Sequence, residues 1–451
     1  MKTPIADFVK NYTKSNTKRL HMPGHKGVSF LGCEPYDITE IKGADALYEA
    51  DGIIAESEKN AAGLFGSGRT LFSTEGSSQC IRAILYLALV HYRQKQSGKE
   101  QKRPIIVAAR NVHKTFIYAA ALLDFDIEWL WPEESSSSIC SCIISPCQVE
   151  HALKQCGDRV AAVYVTSPDY LGGQSDVQGM ADICHKYGTI LAVDNAHGAY
   201  LHFLKDSSHP LDLGADICCD SAHKTLPVLT GGAYLHISKH APVCFLKQAK
   251  YAMGLFGSTS PSYLILSSLD LCNRYLSDGY QKKLNDTVSF IENVRSRLME
   301  NGWRIVESDP LKITVEIPKG LSSEEKADQL REQGIECEYA DPDYLVFMVT
   351  PENEREDLEQ LVRAMGKNMI VYEPKETLPL AKPEQKMPIR EALFSDFEQI
   401  SANDSLGRIC RVPTVSCPPA IPIVAPGEKI NKEAIALFAY YGIDVLDVVY
   451  V

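Results

Sequence analysis

Residues 220–236 read DSAHKTLPVLTGGAYLH, with a lysine between a histidine and a threonine in a run of small and apolar side chains. A lysine there is costly unless its ammonium reaches solvent, finds a partner or has a covalent task. Held in cationic or apolar surroundings, Lys224 becomes an amine nucleophile. Ser221 and His223 flank it and can grip an anion or orient the amine. Three further stretches carry side chains of matching chemistry. In STEGSSQC (73–80), Gly76, Ser77 and Ser78 open a helix and offer N–H groups and hydroxyls to a phosphate, or simply cap the helix. In RNVHKTF (110–116), His113 follows a strand and can stack on a flat ring, or cap the next helix. In AVDNAHGAY (192–200), Asp194 closes an apolar strand and can pair with a protonated ring nitrogen. Ala196 is small enough for a flat ring to lie against, and His197 can reach a ring hydroxyl.

Each stretch has an ordinary structural reading alone. Their joint order, with Lys224 thirty residues after Asp194, meets the needs of pyridoxal 5'-phosphate. Its aldehyde wants an amine, its phosphate a helix N-terminus, its pyridine nitrogen a carboxylate and its ring two flat walls.

The elements that must position these residues are legible between about 36 and 240. Short apolar runs at 103–109, 159–168, 189–195 and 215–221 alternate with helical patterns at 77–94, 113–124 and 176–188. That alternation predicts βαβ units and a mostly parallel sheet, with the four motifs at strand ends, where an open α/β sheet binds ligands. A long helical stretch follows at 262–302, then an α+β pattern of KITVEIP, SSEEKADQLREQG, YLVFMVTP and EREDLEQLVRAMGK. The expected organisation is an arm at 1–35, a cofactor-binding major domain at 36–290, a small α+β domain at 291–372 and a C-terminal domain at 385–451. The Pro- and Lys-rich 373–389 reads as a linker.

The chain has 451 residues, 45% hydrophobic and 23% charged, with a net charge of −12. This is a globular composition that disfavours nucleic acid and anionic membrane as partners and suits a cationic small molecule. No apolar run in the first twenty residues is long enough for a signal peptide, and the run at 80–92 is too short to span a membrane. The expected compartment is the cytoplasm, where the fourteen cysteines stay reduced. Cys140, Cys142 and Cys147 cluster, with His151 nearby, but the spacing is a weak zinc pattern, and no metal is expected.

The motifs together resemble the Orn/Lys/Arg decarboxylases of the aspartate-aminotransferase fold, in particular the shorter bacterial members without an N-terminal wing domain. LHMPGHKG (20–27) is similar to the family's H-x-P-G-H-K-G signature, and 36–67 to its D-x-T-E…G-x-D-x-L…A-A-x-x-F-G stretch. RNVHKT, VDNAHGA and SAHKTL match the core motifs, GSTSPSYLILSSLD (257–270) the T-S-P-S-Y segment, and CPPAIPIVAPGEKI (417–430) the C-terminal signature. The resemblance covers nearly the whole chain. It implies fold type I of the pyridoxal-phosphate enzymes, with a seven-stranded-type sheet, and a homodimer or higher homo-oligomer with a shared active site. Residue by residue, Lys224 is the amine that bonds the aldehyde and moves protons. Asp194 pairs with the pyridine nitrogen, and His113 and Ala196 are the two walls. Gly76, Ser77, Ser78, Ser221 and His223 hold the phosphate, and Ser260 reaches the neighbouring subunit's cofactor. His197 near the ring hydroxyl is an inference from other enzymes of this fold.

The chain departs from the family at LTGG after the lysine, where L-T-Q is frequent, and at Cys417 and Ala420. Gly-Gly after the lysine is also similar to the α-oxoamine synthases. The resemblance implies decarboxylation of arginine, lysine or ornithine to a polyamine precursor and CO2, with Lys224, His113, Asp194 and His223 in the chemistry. The alternatives are transamination, aldol cleavage or acyl transfer on the same scaffold, or a silent homologue that only binds. Asp45, Glu49, Asp51 and Glu428 are candidate partners for a cationic substrate side chain.

Overall fold

In the computed structural model, residues 1–98, 100, 102–132, 138–373, 378–414 and 420–450 are described. Cys417 and most of the serine tract at 134–140 lie outside them. The strands are β1 (Arg69–Ser73), β2 (Ile105–Ala109), β3 (Asp126–Leu130), β4 (Val160–Thr166), β5 (Leu191–Asp194), β6 (Ile217–Asp220), β7 (Ala233–Ile237), β8 (Arg304–Val306), β9 (Lys312–Glu316), β10 (Tyr339–Ala340), β11 (Tyr344–Met348), β12 (Phe397–Ser401) and β13 (Val445–Val449). The helices used below are α1 (Pro4–Lys14), α2 (Ile53–Leu64), α3 (Gly76–Lys95), α4 (Lys114–Leu123), α5 (Pro146–Cys156), α6 (Val177–Lys186), α7 (Ala222–Thr225), α8 (Val243–Leu255), α9 (Tyr263–Leu276) and α10 (Tyr280–Glu300).

Strands β1–β7 form one sheet in the order β1-β7-β6-β5-β4-β2-β3. The β2–β3, β4–β5 and β5–β6 pairs are parallel, and β7 runs antiparallel to both neighbours. The four runs read from the sequence are β2, β4, β5 and β6. The predicted helix at 262–302 is two helices, α9 and α10, broken at Gly279, whose φ of +74° suits glycine. The arm is not turns alone, because it begins with α1, whose Ile5 and Val9 are buried.

The chain divides into two compact units, Met1–Lys102 with Val160–Ser167 and Val177–Lys283, and Arg103–Arg159 with Pro168–Asp176 and Leu284–Val451. In the first, α3 is buried on nearly every side, at Cys80, Ile81, Ala83, Ile84, Leu85, Leu87 and Ala88. This is why CIRAILYLALVHY reads as an almost unbroken apolar run. Three helices of this unit meet on one carboxylate. Asp270 of α9 accepts the N–H groups of Ile5 and Ala6, at 2.9 and 3.0 Å, which the start of α1 would otherwise leave orphaned. It also accepts the Ser57 hydroxyl of α2. Among the described residues no helix is long and apolar enough to cross a membrane.

The second unit contains β2, β3, a four-stranded antiparallel sheet in the order β10-β11-β9-β8, and the β12–β13 pair. Its anchor is Arg110, which follows β2 and is fully buried. The guanidinium donates to both oxygens of Glu428, at 2.7 Å each, and to the Pro422 carbonyl. The Trp129 and Trp131 rings each lie 4.6 Å away. Glu428 is therefore engaged inside this unit. That removes it as a candidate for a substrate's cationic group.

Two outcomes follow from these anchors. Glu428→Gln keeps the shape but leaves the Arg110 charge buried without its counterion. It is expected to cost about 3–5 kcal/mol in a denaturant melt; an unchanged midpoint would mean that Pro422 and the indoles suffice. Burial raises the Asp270 carboxyl to about 6 from 3.8, against the bonds from Ser57, Ala6 and Ile5. A carboxyl raised on folding stabilises fully below its unfolded value, and that contribution is lost as pH climbs through about 6. The stability of the wild type relative to Asp270→Asn is thus expected to fall by up to about 3 kcal/mol between about pH 4 and pH 7. A pH-independent difference in melts would refute this.

Candidate active site

Asp194 is the last residue of β5 and is buried. Its oxygens accept from the Tyr164 hydroxyl at 3.2 Å and the Ala196 N–H at 3.3 Å, and the Cys219 thiol lies 3.6 Å away. Burial raises the Asp194 carboxyl, while the positive charge of Lys224 and the Tyr164 hydroxyl oppose the rise. A carboxylate in this position gains from any further cation brought against it. Ala196 and His197 follow it, both buried.

The end of the neighbouring strand β6 supplies the rest. Ser221 is buried and opens α7, a single turn that carries His223 and Lys224 half-buried. The Lys224 Nζ lies 2.8 Å from Nε2 of His197, so the ends of β5 and β6 meet at their side chains. The Nδ1–H of His223 donates to the Gly232 carbonyl at 2.9 Å, which leaves Nε2 as its other face. Burial lowers the His223 imidazole below its ordinary value, its bond to Gly232 opposes this, and the charge of Lys224 reinforces it. Burial therefore favours the neutral form of His223.

The Gly-Gly that follows has a structural cause. The Gly231 carbonyl accepts the Gly76 N–H at 2.7 Å. A Cβ on Gly231, whose φ is +95°, would lie 3.0 Å from the Thr74 carbonyl oxygen, and one on Gly232 only 2.3 Å from Val228. Gly231 therefore seats the turn before α3 against the segment after Lys224, and Gly232 lets that segment close on Val228. Gly76 itself has φ +70°, and the Ser73 hydroxyl donates to its carbonyl. The Ser221 hydroxyl donates to Ser77 at 2.9 Å, with Ser78 half-buried on the same turn of α3. The first N–H groups of α3 and the hydroxyls of Ser77 and Ser221 thus share one small region, with the electrostatic character that draws an anion.

Gly76, Ser77, Ser78, Asp194, Ala196, His197, Ser221, His223 and Lys224 all lie in the first unit. His113 lies in the second, where its Nδ1 caps α4 by accepting the Thr115 N–H. Ser260 is exposed on a loop, and its N–H donates to the Ser258 hydroxyl. The Ser258 N–H in turn donates to the carboxylate of Glu75, the residue before α3. Asp45 is not a free carboxylate. Its oxygens accept the N–H groups of Ala46, Asp51, Gly52, Ile54 and Ala55 and so cap α2. Glu49 and Asp51 are exposed.

Sequence reasoning passed over the residues behind this site. Asp220, directly before Ser221, is fully buried and accepts from Asn195, His209 and His236. The available signal was that ICCD ends in an aspartate as LAVD does. The H-x-P-G-H-K-G arm folds onto its own unit. Its His21 meets the Tyr12 hydroxyl at 2.6 Å, and His25 meets the Asp37 carboxylate at 3.1 Å.

The family model for the Orn/Lys/Arg decarboxylase major domain matches residues 3–318. A Bacillus subtilis protein, uncharacterised YaaO, is 27% identical over 96% of this chain and 93% of its own length. An arginine decarboxylase of the same organism is 26% identical over 96% and 92%. Among solved structures, the lysine decarboxylase LdcF of Francisella novicida superposes with a TM-score of 0.81 at 16% identity, covering 99% of this chain and 81% of that one. The constitutive lysine decarboxylase of E. coli gives 0.78 at 17% identity, over 100% and 82%. The fold is accordingly the fold type I that the resemblance implied. With a family match that takes in α1, the whole of the β1–β7 sheet and the lysine turn, this chain belongs to the Orn/Lys/Arg decarboxylase family.

Proposed function

We propose that this protein removes the carboxylate of a basic amino acid as CO2 with pyridoxal phosphate as cofactor. The observation that carries the reading is the buried Asp194 carboxylate beside the charge of Lys224, at the ends of adjacent strands. The residues present fit the cofactor. Lys224 would bond its aldehyde, Asp194 would hold its ring nitrogen, Ala196 would face its ring, and the start of α3 with Ser77, Ser78 and Ser221 would hold its phosphate. The stacking role of His113 rests on its motif alone. When bound, the cofactor supplies the electron sink that accepts the pair left by departing CO2.

The chain's own residues do the remaining work. Asp194, ionised with the help of the Lys224 charge, would favour the protonated form of a heteroaromatic nitrogen set against it. Lys224 exchanges a proton with His197 across their 2.8 Å contact. His223, kept neutral by burial, accepts or returns a proton at Nε2. The arginine decarboxylases among its sequence relatives, at 26% identity, support arginine as substrate, with lysine and ornithine as the other candidates. Close packing of Gly231 and Gly232 accounts for the Gly-Gly, so that pair gives no support to acyl transfer.

We also propose a homodimer, or a higher oligomer built from it, in the cytoplasm, with Ser260 reaching the partner's site. The arm leaves Leu20, Phe30 and Leu31 exposed at 95%, 78% and 89%, an apolar surface that suits burial against a second copy.

The test is CO2 release from arginine, lysine and ornithine by the cofactor-loaded protein. Release from one of them is expected, abolished in Lys224→Ala and lowered about 10²–10³-fold in Asp194→Asn. A loaded protein that releases no CO2 from any of the three would sink the substrate assignment. Light scattering is expected to give at least twice the chain mass, falling to one chain mass in Phe30→Asp/Leu31→Asp. A wild type at one chain mass would overturn the dimer.

A further inference from the structure

The first unit buries a second carboxylate one strand away from Asp194, and it too is tied to the site. Side chains alternate along a strand, so Asp194, Cys219 and Ser221 share one face of β5 and β6 while Asn195 and Asp220 share the other. On that rear face Asn195 Nδ2 donates to Asp220 Oδ1 at 2.7 Å. Asp220 Oδ2 accepts from His209 Nε2 at 3.1 Å and His236 Nε2 at 3.2 Å. His236 is held in turn through Nδ1 by Thr70 at 2.8 Å, and Thr70 by Ser67 at 2.8 Å. The Phe65 ring covers His236 at 4.4 Å. Asp220, His209 and His236 have no exposed side-chain surface. Burial works to raise the Asp220 carboxyl, but His209 and His236 outweigh it and hold the group ionised, well below the usual carboxylate range.

An ionised carboxylate in a core is expensive unless fully hydrogen-bonded, and a well-packed apolar group would often be as stable. This one has a geometric use. Asn195 is the residue after Asp194, and Asp220 is the residue before Ser221. The Asn195 N–H also donates to the Cys219 carbonyl at 2.9 Å, so side chain and main chain both tie the two strand ends together. A carboxylate accepts only from the amide nitrogen of Asn195, which fixes that side chain's orientation.

We propose that the Asn195–Asp220 bond, backed by His209 and His236, is the positioning device of the site. It sets how far Asp194 stands from Ser221 and Lys224, and so governs capture and tuning of the cofactor. The inference rests on the pyridoxal-phosphate reading of that site. Asn195, Asp220, His209 and His236 are positioning residues and touch no reacting group.

The test uses holoenzyme of the full chain and pyridoxal phosphate as the probe. Asn195→Ala leaves Asp220 its two histidine donors and so keeps the buried charge bonded; Asp220→Asn removes the charge and one of the two acceptor oxygens, so Asn195 and the two histidines can no longer all be satisfied. Ser57→Ala, in the Asp270 anchor of the same unit, is the control for lost stability. The readouts are the cofactor dissociation constant and the pH midpoint of the bound cofactor's absorbance, each read beside a thermal melt. Asn195→Ala and Asp220→Asn are expected to weaken cofactor binding about ten- to a hundredfold and to move the midpoint by about half a pH unit or more. Ser57→Ala is expected to lower the melt while leaving both unchanged. If Asp220→Asn does not fold, Asn195→Ala carries the test. A variant that melts lower but keeps the wild-type binding and midpoint would overturn the proposal and make the network purely structural. A wild type that binds no pyridoxal phosphate would overturn the cofactor reading itself, and this inference with it.

Discussion

The arrangement depends on a cost that two strands incur together. β5 and β6 are apolar runs inside a sheet, and each ends in an aspartate that is withdrawn from water. A buried carboxylate must be matched by donors or by a cation. Asp220 has donors on every side, so its demand is met within the protein. Asp194 has a phenol, a thiol, one main-chain N–H and the charge of a nearby lysine, and burial still raises it. One carboxylate is settled and the other is left receptive, and on the proposed reading that difference between two chemically equal side chains is what a cofactor's ring nitrogen would use.

The same device recurs away from the site. Arg110 and Glu428 lie 318 positions apart in sequence, and Ile5 and Asp270 lie 265 apart. In each case one buried polar group with several partners fixes segments that share little local sequence logic. Such groups add little net stability compared with apolar packing, but each has few alternative partners. A chain with this many long connections can use them to exclude other arrangements of its helices and loops.

Much of the candidate site could be read from local pattern. Asp194, Ser221, His223 and Lys224 follow apolar strands, Ser77 and Ser78 open a helix, and residues at strand ends are where an open α/β sheet does chemistry. Three strands were harder to read. RTLFS is short, DIEWL carries two carboxylates in five residues, and AYLHI sits directly behind two glycines. The partners were illegible for a different reason. Nothing near Glu428 announces Arg110, and nothing near Asp45 shows that five main-chain N–H groups will occupy it. Hydrogen-bond satisfaction across long separations is settled by the folded geometry, and composition near either partner carries no trace of it.

The cysteines of this chain have a consequence of their own. Burial lifts the thiols of Cys80 and Cys184 above the ordinary range and those of Cys218 and Cys219 well above it, so little thiolate forms there near neutral pH. Among the described thiols, Cys147 is the exposed one, at the start of α5. An alkylating reagent meets the folded chain almost entirely at its periphery and reaches the core thiols only when the sheet opens. The rate at which those silent sulfurs become reactive therefore serves as a built-in clock for the opening of β6 and of the helices α3 and α6.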